Sequence, residues 1–392
     1  MLKRRTLLSL AASGMSLPVL DAWALPGPAR PDGRLILIFL RGGLDGLHAI
    51  APVTDPLLAE LRPTLSTSAI DDGLRLGSSG FAAHPAFRAV ADLYRAGELA
   101  FAPCAGTTDT SRSHFQAQDL FELGTGAIHG SSGFLARAAD ALGTGRGAIS
   151  FTREIPLAFQ GGESVPQVAP LSGSGLKLPP GRLLEALRSA HRGLRTGEAL
   201  EQALATETEV ESAMTMAMEV PAARGAPGAG AFNRVANTMG QVLRNNPRLA
   251  MAFLDLGGFD THANEEAILS RGLADLGAGL LALKTALGQD EWQRTRVVVM
   301  SEFGRTVREN GTRGTDHGHG GLMLLCGGSG RGARMVGDFG GLTERSLNEN
   351  RDLPVLVDWR SVLAACMEEA FAWNGAVLDT VFPGRPRQRL AV

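Results

Sequence analysis

Asp316, His317 and His319 fall within four residues of one another in the stretch GRTVRENGTRGTDHGHGG, residues 304–321. One carboxylate and two imidazoles at that spacing are donors suited to Zn or Mn, and the interleaved glycines let a short loop aim them at one point. A second cluster, GGFDTH, places Asp260 and His262 just after the apolar run from Leu249 to Leu256. A third acidic residue, Asp45 in RGGLDG, follows the run from Leu35 to Leu40. Strand-like runs that each lead to a metal-competent residue predict a metal centre at one edge of a sheet.

Taken singly, each of these residues has a plainer role. Asp45 stabilises a glycine-rich turn, Asp260 caps a helix beginning near Ala263, and Asp316 forms an Asx-turn. Their joint occurrence favours the metal: of eight histidines, His262, His317 and His319 lie in two short glycine-flanked loops. Arg305, in EFGRT, has a planar fork that suits a phosphate or sulfate oxygen, or else an ion pair with Glu302. Arg41, beside Gly42 and Gly43, offers the same alternatives. In TSRSHF, residues 110–115, hydroxyls stand between a strand and a helix, where backbone amides and the helix dipole support an anion. His114 reads equally as a ligand, an acid or a packed neighbour. His48, His84, His129 and His191 have no partner cluster in the sequence, so structural or surface roles are expected for them, as for Asp338 and Asp358.

The elements that must position these residues follow from hydrophobic pattern. LILIFL, residues 35–40, is a continuous apolar run of strand length, as expected for a parallel strand buried on both faces. Further strands are expected at Leu99–Pro103, Ala148–Phe151, Leu157–Phe159, Leu249–Leu256, Val297–Met300 and Leu322–Leu325. A helix opens at His84-Pro85 and runs to about Arg95, and another spans Ser113 to Leu123. Leu269, Leu273, Leu276, Leu280, Leu283 and Leu287, at steps of four and three, define the buried stripe of a long helix. Between roughly Gly181 and Arg248 strand patterns vanish and helical spacing dominates, which predicts a helical insertion broken at Arg224–Gly228. Alternating strands and helices imply an α/β sandwich around a mostly parallel sheet, with ligands bound beyond the carboxyl ends of the strands.

Net charge is -2, which leaves no electrostatic footprint for nucleic acid. Cys104, Cys326 and Cys366 are widely separated in apolar settings and form neither a zinc-type pair nor a disulfide framework, so burial is expected. Residues 1–24 read as a twin-arginine export signal. KRRTLL precedes a short apolar stretch to Leu20, and Ala22-Trp23-Ala24 offers the cleavage site. That stretch is too short and broken for a stable membrane span. The translocase is therefore an expected partner, and residues 31–392 are expected to form the mature domain.

RGGLDG, SRSHF, GGFDTH, SEFGRT and TDHGHGG, in this order after an export signal, resemble the bacterial family called domain of unknown function 1501. The order of acidic, hydroxyl and histidine residues is also similar to the alkaline-phosphatase and sulfatase-like superfamily. The resemblance implies that superfamily's fold and two adjacent divalent ions, Zn or Mn foremost, with Ca or Mg as alternatives. Asp260, His262 and His319 would hold one ion. Asp45, Asp316, His317 and a nucleophile oxygen would hold the other, and Ser113 is the implied nucleophile, with Ser111 and Thr110 as alternatives. One departure is that Asp260-x-His262 is closer than the spacing in alkaline phosphatases. Cys104 does not begin the Cys-x-Pro-x-Arg pattern that matures into a sulfatase formylglycine. The implied function is an exported metal-dependent hydrolase of an anionic phosphate or sulfate ester. The alternatives are a phosphotransferase or phosphomutase on the same site, or a secreted binding or assembly protein without turnover.

Overall fold

The computed structural model describes residues 32–390 except 108, 110, 144, 153–154, 163–166, 169–180, 195–196, 198–199, 202–203, 205–230, 329–332 and 389. The export signal, Thr110 and the middle of the expected helical insertion, with its break at Arg224–Gly228, lie outside the described residues.

The run RLILIFL forms β1, Arg34–Leu40, and every one of its residues is buried. It occupies the middle of the main sheet because both of its faces are apolar. Ile36, Ile38 and Leu40 enter one hydrophobic cluster, and Leu35, Leu37 and Phe39 enter the other. The other long strands are β2 Leu99–Gly106, β3 Gly147–Ser150, β4 Leu249–Leu256, β5 Thr295–Ser301 and β6 Gly321–Gly327. Across the sheet the long strands run in the order β2, β6, β5, β1, β4, β3. Short strands flank them at Arg334–Met335, Val357–Asp358 and Gln167–Val168. β1 pairs in parallel with both β4 and β5, while β6 runs antiparallel to β5 and β2.

Helices cover both faces. α1 Arg88–Arg95, α2 Ala231–Asn245 and α3 Glu265–Leu287 pack on one side. α4 His114–Leu123, α5 Phe134–Leu142, α6 Trp359–Phe371 and α7 Gly375–Val381 pack on the other. The expected leucine stripe of α3 is buried at all six positions. Gly279 lets α2 approach, since a Cβ there would stand 2.1 Å from the Phe232 ring. The structure is thus the α/β sandwich with a mostly parallel central sheet that the strand–helix alternation implies. All three cysteines are buried and none forms a disulfide. Among the described residues, no helix is long and apolar enough to cross a membrane.

Two local expectations change. Leu157–Phe159 is a single 3-10 turn rather than a strand, entered from Pro156 at φ -65. The Ala158 N–H goes to the Glu122 carboxylate at 3.0 Å instead of to a neighbouring strand. A second, three-stranded antiparallel sheet, Ile50–Ala51, Leu74–Arg75 and Ala82–Ala83, was not foreseen from strands this short.

Candidate metal centre

Loops leaving the carboxyl ends of β1, β2, β4 and β5 meet at one edge of the sheet. Because β6 runs the other way, its amino end lies at that same edge. The Asp316–His319 loop, which joins the carboxyl end of β5 to the amino end of β6, is thereby held at that edge from both sides. Gly42, at φ +119, brings the β1 loop against the β4 loop so closely that a Cβ would stand 2.4 Å from the Asp260 nitrogen. The left-handed backbone and the lack of a side chain are both needed there.

Arg305 locks these loops together. Its side chain is wholly buried. Nε donates to the Gly43 carbonyl at 2.7 Å and Nη1 to the Thr315 carbonyl at 3.0 Å. Nη2 donates to the Gly42 carbonyl, to Phe259 O at 3.2 Å and to Asp260 Oδ1 at 2.5 Å. The guanidinium thus braces protein oxygens and does not pair with Glu302. Arg41 is similarly occupied, by Asp255, Gln118 and Glu122.

Around Asp260 three imidazoles converge. His262 Nε2 is 3.0 Å and His317 Nε2 3.3 Å from Oδ1, while His114 Nε2 is 3.5 Å from Oδ2. The Nε2 atoms of His262 and His317 are 3.0 Å apart. In each ring the other nitrogen faces an acceptor. His317 Nδ1 donates to the Arg112 carbonyl at 2.9 Å, His114 Nδ1 to Glu302 Oε1 at 2.8 Å, and His262 Nδ1 to Asp316 Oδ1 at 3.2 Å. Those bonds place the ring protons on Nδ1 and leave a lone pair on every Nε2. Three lone pairs crowded on a carboxylate repel one another unless a cation lies among them. Donors about 2.0–2.1 Å from a tetrahedral zinc lie roughly 3.3 Å apart, the scale of these contacts. Such carbonyl- and carboxylate-anchored rings are how proteins orient metal-binding histidines.

Electrostatics point the same way. Burial pushes the His317 pKa down, with the charges of His114 and Arg305 adding to this against the Arg112 and Asp260 contacts, so the ring is neutral. Burial alone would raise Asp260, but the hydrogen bond and charge of Arg305 outweigh it and keep the carboxylate ionised. Glu302 is buried too, yet hydrogen bonds from Gln118, His114 and the Gly42 amide bring its net shift downward. Glu302 therefore anchors His114 from β5 and the β1 loop at once.

The residues expected from the sequence separate into two groups. Asp260, His262 and His317 come together, and His114, read only as one option among three, joins them. Asp316 stands beside His262 and orients its ring. Asp45 is elsewhere engaged. It caps Gly46–Ala49 through the His48 amide at 3.1 Å and pairs with Arg62 at 2.8 Å, fully buried. Its partner Glu265 is also buried, and burial with the Asp45 charge raises Glu265 to about 9, so it is protonated. His319 faces Asp352 Oδ1 at 3.0 Å and Asn348, not Asp260. The two three-residue ligand sets implied by the resemblance are therefore not the grouping the structure makes. Ser113 occupies the N-cap of α4 and makes no capping bond with its side chain. Arg112 before it, at φ +52, turns its carbonyl to His317. Phe115, next to His114, is 85% exposed.

A family described as "Protein of unknown function (DUF1501)" matches residues 103–382. The chain belongs to this family. Four of the five motifs fall inside that span, and RGGLDG, which carries Asp45, precedes it. No curated protein matches the chain. Among solved structures it is similar to the C-terminal periplasmic domain of EcEptC from Escherichia coli in complex with Zn. That match has 10% identity over 88% of this chain and 84% of that one, with a TM-score of 0.38. It is also similar to alkaline phosphatase from the Antarctic bacterium TAB5, at 11% identity over 78% and 94% of the two chains, with a TM-score of 0.32.

Proposed function

We propose that this DUF1501 member is an exported metal-dependent hydrolase of phosphate or sulfate esters. The observation that carries this reading is the convergence of the His114, His262 and His317 Nε2 atoms on Asp260, with each opposite nitrogen anchored. The donor set fits a divalent cation held by Asp260, His114 and His317, with His262 approaching from the Oδ1 side. Such a cation supplies charge that polarises an anionic ester oxygen. The chain's own groups do the rest. Arg305 holds Asp260, and Glu302 holds His114. The amino end of α4 directs amide dipoles at an anion, and the Ser113 hydroxyl, one residue before a ligand, is the nucleophile in this reading. The half-exposed Asp260 and His262 leave the site open to substrate.

Elemental analysis after loading with Zn or Mn is the first test. Asp260→Asn keeps the side-chain shape and removes the central charge, so bound metal should drop along with activity on aryl phosphates and sulfates. Ser113→Ala should keep the metal and lose turnover. Equal metal in Asp260→Asn and the native protein would overturn the reading.

A further inference from the structure

Away from that centre, three segments bring His48, His84 and Glu266 into one cluster. His48 lies in the helical turn Gly46–Ala49, His84 follows the short strand Ala82–Ala83, and Glu266 is in the first turn of α3. The two rings stack with centroids 4.9 Å apart and 25° between planes. Each presents Nε2 to one Glu266 oxygen at 3.2 Å, His48 to Oε2 and His84 to Oε1. No local pattern points to the cluster, because 182 residues separate His84 from its carboxylate.

The two histidines are not equivalent. His84 Nδ1 accepts the Ala86 amide at 3.1 Å, so its proton is on Nε2 and it donates to Glu266. His48 is 1% exposed; its Nδ1 has no hydrogen-bond partner, and its Nε2 and Glu266 Oε2 face each other in a buried contact at 3.2 Å. A neutral imidazole in this position can offer its Nε2 lone pair to an ion lying between it and the carboxylate. Glu266 is ionised, held down to about 2 first by the His48 contact, and its side chain is 43% exposed. Ser68 and Ser270 hydroxyls donate to Oε1 at 3.1 and 3.0 Å, which leaves Oε2 turned to His48.

We propose that His48 Nε2 and Glu266 Oε2 bind a divalent transition metal at a site separate from the Asp260 centre. The His84 N–H fixes the carboxylate. One imidazole with one carboxylate suits Zn, Co or Ni, whereas Ca and Mg prefer oxygen alone. The 3.2 Å spacing is that of neighbouring donors on one ion. Through Glu265, whose carboxyl accepts from Thr315 at 2.7 Å, the start of α3 also touches the loop bearing Asp316 and His317. An ion at Glu266 would therefore stiffen the base of the Asp260 centre.

The test is titration of the metal-free full chain with Co2+, followed by visible absorption and elemental analysis. Asp260→Asn should retain one equivalent, and Asp260→Asn/Glu266→Gln should retain none. Equal cobalt in those two variants overturns the proposal. X-ray absorption of cobalt-loaded Asp260→Asn should show a single imidazole per ion. An all-oxygen shell would overturn the proposal even if the Glu266 variant failed to fold. Loss of all metal in Asp260→Asn alone also refutes it, whereas undiminished metal in that variant counts against the Asp260 centre instead.

Discussion

Replacing Arg305 by lysine tests whether this buried guanidinium builds the site or merely sits near it. Lysine keeps the charge but gathers its donors on one nitrogen, which cannot span the arginine's fork. Placed where Nη2 now lies, an ammonium retains Gly42, Phe259 and Asp260, and abandons the carbonyls of Gly43 and Thr315. Each orphaned buried carbonyl costs about 1–3 kcal/mol, so the loss of stability should be about 2–6 kcal/mol. The ion pair adds nothing to that sum, since it survives and Asp260 is 45% exposed. Urea unfolding of the metal-free protein in EDTA reads this number directly. Releasing the Gly43 and Thr315 loops also moves Asp260 relative to His317, so affinity for Zn should fall roughly 10–100-fold, as for other outer partners of metal ligands. A stability change under about 0.5 kcal/mol, within the range of an ordinary surface substitution, would refute the clamp. So would an unchanged metal affinity.

The other predictions concern titration and export. Glu265 holds its proton in the folded chain up to about 9, against 4.5 when unfolded, so the folded state binds the extra proton across that window. Stability should therefore fall as pH rises from 4.5 to about 9, and Glu265→Gln should flatten the slope of urea midpoint against pH. An identical slope in the variant would show that Glu265 ionises normally. Lysine at both Arg4 and Arg5 should leave the precursor in the cytoplasm on cell fractionation, and normal export of that variant would refute the twin-arginine reading.

The parts of the fold and site that were legible in the sequence are those written in local pattern. LILIFL announces a doubly buried strand, the α3 leucines announce their stripe, and the glycine-flanked Asp260, His262, Asp316 and His317 announce a ligand-bearing edge. Strand polarity has no local signature, so the antiparallel β6 was hidden. Asp45 and His319 look like ligands by type and neighbourhood, but their partners, Arg62 and Asp352, come from elsewhere in the chain. Glu265 and Glu266 were illegible for the same reason, and Glu302, whose place just past a strand was legible, holds His114 and not Arg305. Whether a carboxylate anchors a histidine, holds a proton or faces an unpaired imidazole depends on what tertiary packing puts against it.

The central place of β1 also sets a timetable. Its neighbours across the sheet are Met251 and Arg296 opposite Leu35, so one edge stays unpaired until Leu256 at the end of β4 has been made and the other until Ser301 at the end of β5. At bacterial synthesis speeds that wait is roughly 10–50 s. Throughout it, an apolar segment with strong strand preference and no internal charge is available to any other unpaired edge. Soluble yield in a foreign host should therefore track chaperone supply and growth temperature more than the stability of the finished fold. The proposed ligands keep the same schedule: His114 is synthesised long before Asp260 and His317, and an ion would have no complete seat until the last of these loops has closed.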